Sequence, residues 1–164
     1  MSEVTLHGER IDLEWFSPDI AASILEGRRH EDWAAEFPSP GEVRATRWVV
    51  GEQGNDVAHA PFLAYVVREL TSGLLIGGAG FHGRAKDRSI ELGYGFVSAF
   101  HGHGYATEAC GVLLRAAFES GDVDLVVAET DPDNFRSKAV LKRAGFTPIN
   151  ENETHWRVTR ALLD

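Results

Sequence analysis

Cysteine is nearly absent from this 164-residue sequence, and positive charge is scarce. The single cysteine, Cys110, excludes an internal disulfide and a zinc site built from several cysteines. Lysine and arginine number 16 against 25 aspartates and glutamates, which leaves a net charge of −9. A nucleic-acid partner requires a basic surface, so we expect none. An acidic surface attracts cationic molecules, although the same charge also serves solubility.

Long apolar runs are also missing, because none approaches the ~18 residues that a membrane-spanning helix needs. The first residues, Met1 to Val4, do not resemble the basic and apolar segments of a signal peptide. We therefore expect a cytoplasmic protein with no membrane partner. The length and the hydrophobic fraction of 43% predict a single domain that spans residues 1–164.

Alternation of apolar and polar residues predicts strands in the first part of the chain. The strands expected there cover 4–15 (interrupted at Gly8), 62–70, 74–81 and 89–97. A helix is expected from Pro18 to Leu25, and a second helical stretch over 32–51 that Pro38 and Pro40 break. Residues 52–60 are expected to form a polar loop.

The pattern changes to helical spacing over residues 106–119, which precede a short apolar strand at 124–128. A strand, a helix and a strand in this order predict a βαβ unit with parallel strands. Another helix at 134–144 and a hairpin of 146–149 with 155–163 complete the chain. The fold class is therefore α/β: a mixed sheet, antiparallel in its N-terminal part and parallel in its C-terminal part, with helices on both faces.

A glycine-rich turn links the strand at 89–97 to the helix at 106–119. Glycine lets the backbone turn tightly, and the first N–H groups of a helix have no partner within the helix. The turn is suited to a phosphate or pyrophosphate, although an ordinary strand-to-helix turn is the open alternative. It is not a Walker loop, because no Gly-Lys-Ser/Thr follows.

The turn His101-Gly102-His103-Gly104-Tyr105-Ala106 resembles the Gln/Arg-x-x-Gly-x-Gly/Ala acyl-CoA loop of the GNAT acetyltransferase superfamily. Its continuation through Thr107-Glu108-Ala109 is similar to the RimJ/RimL-type branch, the ribosomal-protein N-terminal acetyltransferases and their relatives. Three other stretches carry the same resemblance: Gly8-Glu9-Arg10-Ile11-x-Leu13, Leu92-Gly93-Tyr94, and Asp131-Pro132-Asp133-Asn134-x-x-Ser137-x-x-x-Leu141-x-x-x-Gly145-Phe146. One position departs from the family pattern, since His101 stands where Gln or Arg is usual.

The resemblance implies a GNAT-like domain that transfers an acetyl group from acetyl-CoA directly to a primary amine in a ternary complex, without a metal. The acceptor would be a protein or peptide N-terminus or a small amine, cationic amines included, and the protein a monomer or homodimer. A catalytically inactive acyl-CoA sensor or scaffold is the alternative. The expected CoA contacts are Phe96, Val97, His101, Gly102, His103, Gly104, Tyr105, Ala106, Thr107 and Asn134. Val97, as the last residue of its strand, is expected to offer its N–H to the thioester carbonyl.

Transfer to an amine requires deprotonation, because an alkylammonium has a pKa of ~10 and is not a nucleophile. Glu129, at the C-terminal end of the parallel strand, and Glu91, on the preceding strand, are the candidate bases. Deprotonation through water, without either carboxylate, is the alternative. The leaving thiolate benefits from an acid, and the resemblance implies Ser137. Asn134 as N-cap with Ser137 in the first turn explains both residues without catalysis.

Aromatic residues of the N-terminal region, Trp33 and Phe37, lie where the family walls its acceptor site, and plain core packing is the alternative. His101 and His103 lie close in sequence, but a tight glycine turn without a nearby third ligand predicts no metal site. Cys110 falls on the apolar face of its helix and is expected in the core.

Overall fold

The computed structural model describes residues 4–160, and a mixed eight-stranded sheet forms its centre. The strands are β1 Thr5–His7, β2 Ile11–Trp15, β3 Ala64–Glu69, β4 Leu75–Phe81, β5 Ser89–Phe96, β6 Leu125–Glu129, β7 Thr147–Pro148 and β8 His155–Thr159. The helices are α1 Pro18–Glu26, α2 Pro40–Trp48, α3 Tyr105–Glu119 and α4 Phe135–Arg143. The strand order is β1-β2-β3-β4-β5-β6-β8-β7, and the predicted fold class is confirmed.

The antiparallel half joins β1 to β5, and each strand there pairs with its neighbour in sequence. The expected strand over 4–15 is a hairpin of β1 and β2, because the chain reverses at Gly8. The N–H of Gly8 donates to the carbonyl of Ile11 at 2.8 Å. A Cβ at Gly8 would lie 2.9 Å from that carbonyl oxygen, so the tight reversal requires glycine.

The second helical stretch is shorter than the sequence predicts. Only α2 is α-helical. Pro40 occupies its first turn, where a backbone N–H would form no hydrogen bond within the helix, so proline is tolerated there. A π-helical turn, Val49–Gln53, continues α2 into residues that were expected to form a polar loop. A 3-10 turn, Val57–His59, lies in the same region.

The parallel pairing of β5 with β6 is confirmed, but it is short. It comprises Ser89 with Leu125, Ile90 with Val126, and Glu91 with Val127. Beyond these three pairs β5 continues along β4, while β6 continues along β8. The two strands therefore diverge toward their C-terminal ends, and this opening is called the gap from here on.

The C-terminal hairpin of β7 and β8 is confirmed, although β8 ends at Thr159 and the last residues of the predicted strand lie outside the described part. Trp156 on β8 is fully buried in the hydrophobic core. Cys110 also lies in the core, as predicted, and burial raises the pKa of its thiol to about 12. Between residues 4 and 160, no helix is both long and apolar enough to cross a membrane.

Candidate active site

A cavity of about 440 Å³ opens at the gap between β5 and β6. Residues of β3, β4, β5 and β6 line it, together with residues of α2 and α4. The candidate catalytic residues Glu91, Glu129 and Ser137 all contribute to this lining. The structure thus brings together three side chains that are widely separated in the sequence.

The strand β5 divides the cavity into two sides. Side chains alternate along a strand, so Glu91, Gly93 and Gly95 face one side of the sheet and Leu92 and Tyr94 the other. In the parallel pair, Val127 lies beside Glu91, so Glu129, two residues further along β6, shares the face of Glu91. The two candidate bases therefore lie on one face, and Tyr94 lies on the opposite face.

Ser137 forms a hydroxyl pair with Tyr94, a residue that the sequence analysis did not select. Ser137 Oγ and Tyr94 Oη are 2.7 Å apart. Burial raises the pKa of Tyr94 to about 12, so this phenol keeps its proton at neutral pH. The capping role is present as well, because the Ser137 N–H donates to Asn134 Oδ1 at 3.1 Å. Capping uses only the Ser137 backbone, which leaves its hydroxyl for the cavity.

Each candidate base has a histidine beside it. His82 Nδ1 lies 3.2 Å from Glu91 Oε2, and His155 Nε2 lies 3.3 Å from Glu129 Oε1. The Glu129 side chain is 62% exposed, whereas that of Glu91 is 33% exposed. A shielded carboxylate is better suited to accept a proton from a bound amine, so the exposure favours Glu91.

The glycine turn has the geometry of an anion site. Gly102 and Gly104 have φ angles of 80° and 82°, and Gly104 is the N-cap of α3. Within the described chain, the backbone N–H groups of residues 102–107 donate to no protein atom. Thr107 Oγ1 is buried there without a hydrogen-bond partner. These unused donors at the positive end of a helix fit an anionic ligand.

Arg10 braces this turn, and no local sequence signal predicts that contact. Its guanidinium donates to Glu108 Oε1 and to the carbonyl of His103, each at 2.7 Å. The same group lies 4.6 Å from the ring centroid of Tyr105, a cation–π contact. The Tyr105 hydroxyl in turn donates to Glu69 at 2.5 Å. The turn is therefore held in shape by side chains from β2 and β3 and the segments beside them.

His101 connects the turn to β5 and α4. Its Nε2 lies 2.7 Å from the carbonyl oxygen of Phe96, and its Nδ1 lies 2.9 Å from Nη1 of Arg136. An arginine only donates, so Nδ1 accepts from Arg136 and Nε2–H donates to Phe96. Arg136 precedes Ser137 in the first turn of α4. The turn and the gap are consequently adjacent.

The role expected for the Val97 amide is wrong, because its N–H donates to the Ile76 carbonyl at 3.0 Å. Backbone groups of a strand alternate between its two edges. Val97 and Glu91 direct their backbone N–H and carbonyl groups toward β4, because the Val97 N–H donates to Ile76 and the Glu91 carbonyl accepts from the His82 N–H. The N–H groups of Tyr94 and Phe96 therefore point into the gap. The Val97 amide is therefore engaged within the sheet, whereas the amide of the preceding residue is directed toward the gap.

The two predicted acceptor residues differ in position. Phe37 is 1% exposed and lines the cavity. Trp33 is 6% exposed, does not line the cavity, and packs edge-on against Phe37 with ring centroids 5.3 Å apart. In the described part of the chain, no group of three His, Cys, Asp or Glu side chains is arranged to hold a metal ion.

A family model described as an acetyltransferase (GNAT) domain matches residues 10–147, which is most of the chain. The chain belongs to the GNAT acetyltransferase family. The prediction drawn from the glycine turn and the accompanying motifs is thereby confirmed. The matched range includes β2 through α4 and so contains every residue that lines the gap.

The relatives agree with the RimJ/RimL-type branch of this GNAT family. A Bacillus subtilis (strain 168) protein named "Putative ribosomal N-acetyltransferase YdaF" is 37% identical over 60 residues, which are 37% of this chain and 33% of that protein. This chain spans about a third to two fifths of the length of its curated Bacillus subtilis relatives. Mycobacterium smegmatis RimJ, solved with CoA-disulfide, has the same fold at a TM-score of 0.68 and 20% identity, covering 98% of this chain and 91% of that one. RimL, a ribosomal L7/L12 alpha-N-protein acetyltransferase solved with coenzyme A, has the same fold at a TM-score of 0.67 and 16% sequence identity. The match covers 95% of this chain and 98% of that one.

Proposed function

We propose that this GNAT protein is an acetyl-CoA-dependent N-acetyltransferase that transfers acetyl directly to a primary amine in a ternary complex. The observation that carries the proposal is the adjacency of two features, the unused amides of residues 102–107 and the gap lined by Ser137. His101 joins them, since it contacts both the end of β5 and the start of α4. One extended ligand, with a diphosphate at one end and a thioester at the other, would occupy both.

The residues of the turn fit the diphosphate. Six N–H groups that have no partner among residues 4–160, together with a positive φ at Gly104, bring backbone donors close to an anion. Arg136, hydrogen-bonded to His101, supplies the positive charge that the usual arginine of the loop would bring. The pantetheine arm would follow the free edge of β5, where the amides of Tyr94 and Phe96 are the donors available to the thioester carbonyl.

The two faces of β5 suit the two proton transfers. The amine would approach on the face of Glu91 and Glu129, where a carboxylate accepts its proton directly or through water. The thiolate would leave toward the opposite face, where the Ser137 hydroxyl donates a proton and Tyr94 lies behind it at 2.7 Å. The attacking nitrogen forms the amide bond as the carbon–sulfur bond breaks. An alkylammonium loses two protons in this sequence, one before attack and one as the amide forms, while one proton is delivered to the leaving thiolate and the net reaction releases one proton to solvent.

Thiol release tests the proposal. The purified protein, acetyl-CoA and a panel of primary amines are mixed, and free CoA is measured with a thiol reagent. Amine-dependent release is the expected result, with no release when the amine is omitted. Tight CoA binding without release from any amine would favour the sensor or scaffold. An initial-rate analysis in which both substrates must bind before product leaves would confirm the ternary complex.

Replacing Glu91 with glutamine is expected to remove the acidic limb of the pH-rate profile and to lower kcat/KM about tenfold at neutral pH. The substitution preserves shape and hydrogen bonding but removes basicity. Glu129→Gln is the matched variant on the same face. The pH-rate profile of this variant is expected to keep its acidic limb, because the more exposed Glu129 is the less suitable base. The opposite outcome would assign the base to Glu129. Retention of the limb in both variants would mean that water takes the proton.

Replacing His101 with glutamine or arginine tests its two hydrogen bonds. Glutamine can donate to the Phe96 carbonyl and accept from Arg136, so we expect His101→Gln to keep CoA affinity within about threefold. Arginine cannot accept and would place two guanidinium groups together, so His101→Arg is expected to weaken CoA binding about tenfold. Calorimetric titration with CoA measures both. Equal affinity of the arginine variant and the native protein would show that the contact with Arg136 contributes nothing.

A further inference from the structure

The lining of the cavity carries more acidic than basic side chains. Its charged lining comprises Glu42, Glu91, Glu129 and His82, and neither lysine nor arginine is among the described residues that line it. Two of the three carboxylates have a histidine partner within 3.3 Å. Glu42 does not, and it is the most buried of the three at 8% exposure.

Only one carboxylate oxygen of Glu42 accepts a hydrogen bond within the described part of the chain. Oε2 accepts from the Ser39 N–H at 2.9 Å and thereby caps the first turn of α2. Oε1 is buried and has no hydrogen-bond partner in the described chain. Burial also raises the pKa of this carboxyl above its ordinary value. An unsatisfied buried acceptor is costly, and the capping role does not explain it.

The other buried side-chain oxygen without a partner among the described lining residues is also an acceptor. Gln53 Oε1 is buried without a partner, while its Nε2 donates to the Phe81 carbonyl at 3.3 Å. A ligand that donates hydrogen bonds would satisfy these two oxygens. The aromatic rings of Phe37, Trp48 and Phe81 also line the cavity, and such rings favour a cation over an anion.

Glu42 is better suited to bind a group that stays cationic than to bind the reacting nitrogen. A buried carboxylate stabilises the protonated form of an amine and raises its pKa, which opposes nucleophilic attack. Glu91 and Glu129 lie at the gap, where the amine must lose its proton. Glu42 lies on α2, a different wall of the cavity, and is available for a second group that stays protonated throughout.

We infer that Glu42 binds a second cationic group of the acceptor, so that the amine substrate carries at least two basic groups, as a diamine does. This inference rests on the proposed function, because it takes the other basic group to be the nitrogen that is acetylated. The cation donates to Glu42 Oε1 and lies against the aromatic lining. Neutral amines of the same length lack that interaction and bind more weakly.

Binding in the absence of acetyl-CoA tests the role of Glu42 separately from turnover. The probes are α,ω-diaminoalkanes of three to six carbons and the amino alcohols of the same lengths, titrated by calorimetry into the native protein, Glu42→Gln and Glu52→Gln. Glutamine at 42 can keep the bond to the Ser39 N–H while losing the charge. Glu52 is exposed on the adjoining turn and outside the lining, so its variant controls for net charge.

The native protein is expected to bind at least one diamine about tenfold to a hundredfold more tightly than the matched amino alcohol. Glu42→Gln is expected to abolish that preference, and Glu52→Gln to retain it. In turnover, Glu42→Gln should raise KM for the diamine while kcat and its pH profile remain. Thermal unfolding of each variant verifies that α2 is intact.

Three results would overturn the inference. Equal native affinity for diamine and amino alcohol at every length would show that no second cation is bound. A preference that survives Glu42→Gln would assign the cation to another carboxylate. Loss of the acidic limb of the pH-rate profile with unchanged diamine affinity would make Glu42 a base. A Glu42-dependent diamine preference without any thiol release would instead leave this binding site standing while acetyl transfer fails.

Discussion

Gly104→Val is expected to weaken CoA binding at least a hundredfold, about 3 kcal/mol, in a protein that still folds. Gly104 has a φ of 82°, a conformation that a β-branched residue adopts only with strain. A Cβ at this position would also lie 3.2 Å from Arg10 Nη2. Because Arg10 fixes the His103 carbonyl, either response, a changed φ or a displaced Arg10, moves the amides that face the diphosphate.

A matched glycine separates loss of the site from loss of stability. Gly121, at the far end of α3, has a φ of 79° and would accommodate a Cβ with no atom within 4 Å. Gly121→Val should therefore lower the Tm through similar backbone strain while CoA affinity, measured by calorimetry at a temperature where both variants are folded, stays near the native value. Comparable affinity losses in the two variants would remove the turn from the binding site.

Ser137→Ala is expected to lower kcat about a hundredfold while leaving the KM for acetyl-CoA within a few fold. The hydroxyl would act on the leaving thiolate in the transition state, so its removal lowers kcat rather than substrate binding. The alanine retains the backbone N–H that Asn134 caps, so α4 should keep its stability. Unchanged kcat with unchanged Tm would mean that Ser137 is only a residue of the first helical turn.

Tyr94→Phe provides the companion test, because its hydroxyl lies 2.7 Å from Ser137 Oγ. Two groups that deliver one proton act as a unit, so the double variant should be little worse than the poorer single variant. Steady-state kinetics of the four proteins gives the coupling between the two hydroxyls. Ser137→Thr, which restores a hydroxyl, should recover part of the activity. Strictly additive losses would mean that Tyr94 contributes only packing.

Local signals in the sequence predicted the elements that carry the site. Asn134 was expected to begin a helix over 134–144, and α4 has this cap and ends at Arg143. The helical spacing over 106–119 and the glycine turn before it likewise correspond to α3 and its Gly104 cap. Caps, apolar spacing and glycine act within a few residues, so a single sequence contains them.

Contacts between distant residues could not be read from the same patterns. Arg10 and Glu108 are 98 positions apart, and Tyr94 and Ser137 are 43 apart. The Val97 error arose because the edge toward which a backbone amide points reverses with every residue of a strand. Glu42 was not selected from the sequence, because the stretch over 32–51 was predicted without the position of the first turn of α2.

The short pairing of β5 with β6 has a consequence for how the chain folds. The pairing of β2 with β3 closes the 48 residues between Trp15 and Ala64, whereas the hairpins within β3 to β5 and the C-terminal hairpin close short segments and form at a small cost in loop entropy. The junction between them must wait for α3 to cross the sheet, and three residue pairs then hold it. The candidate active site lies at this junction, so a chain with both halves formed but not yet joined would have native-like secondary structure and no catalytic centre.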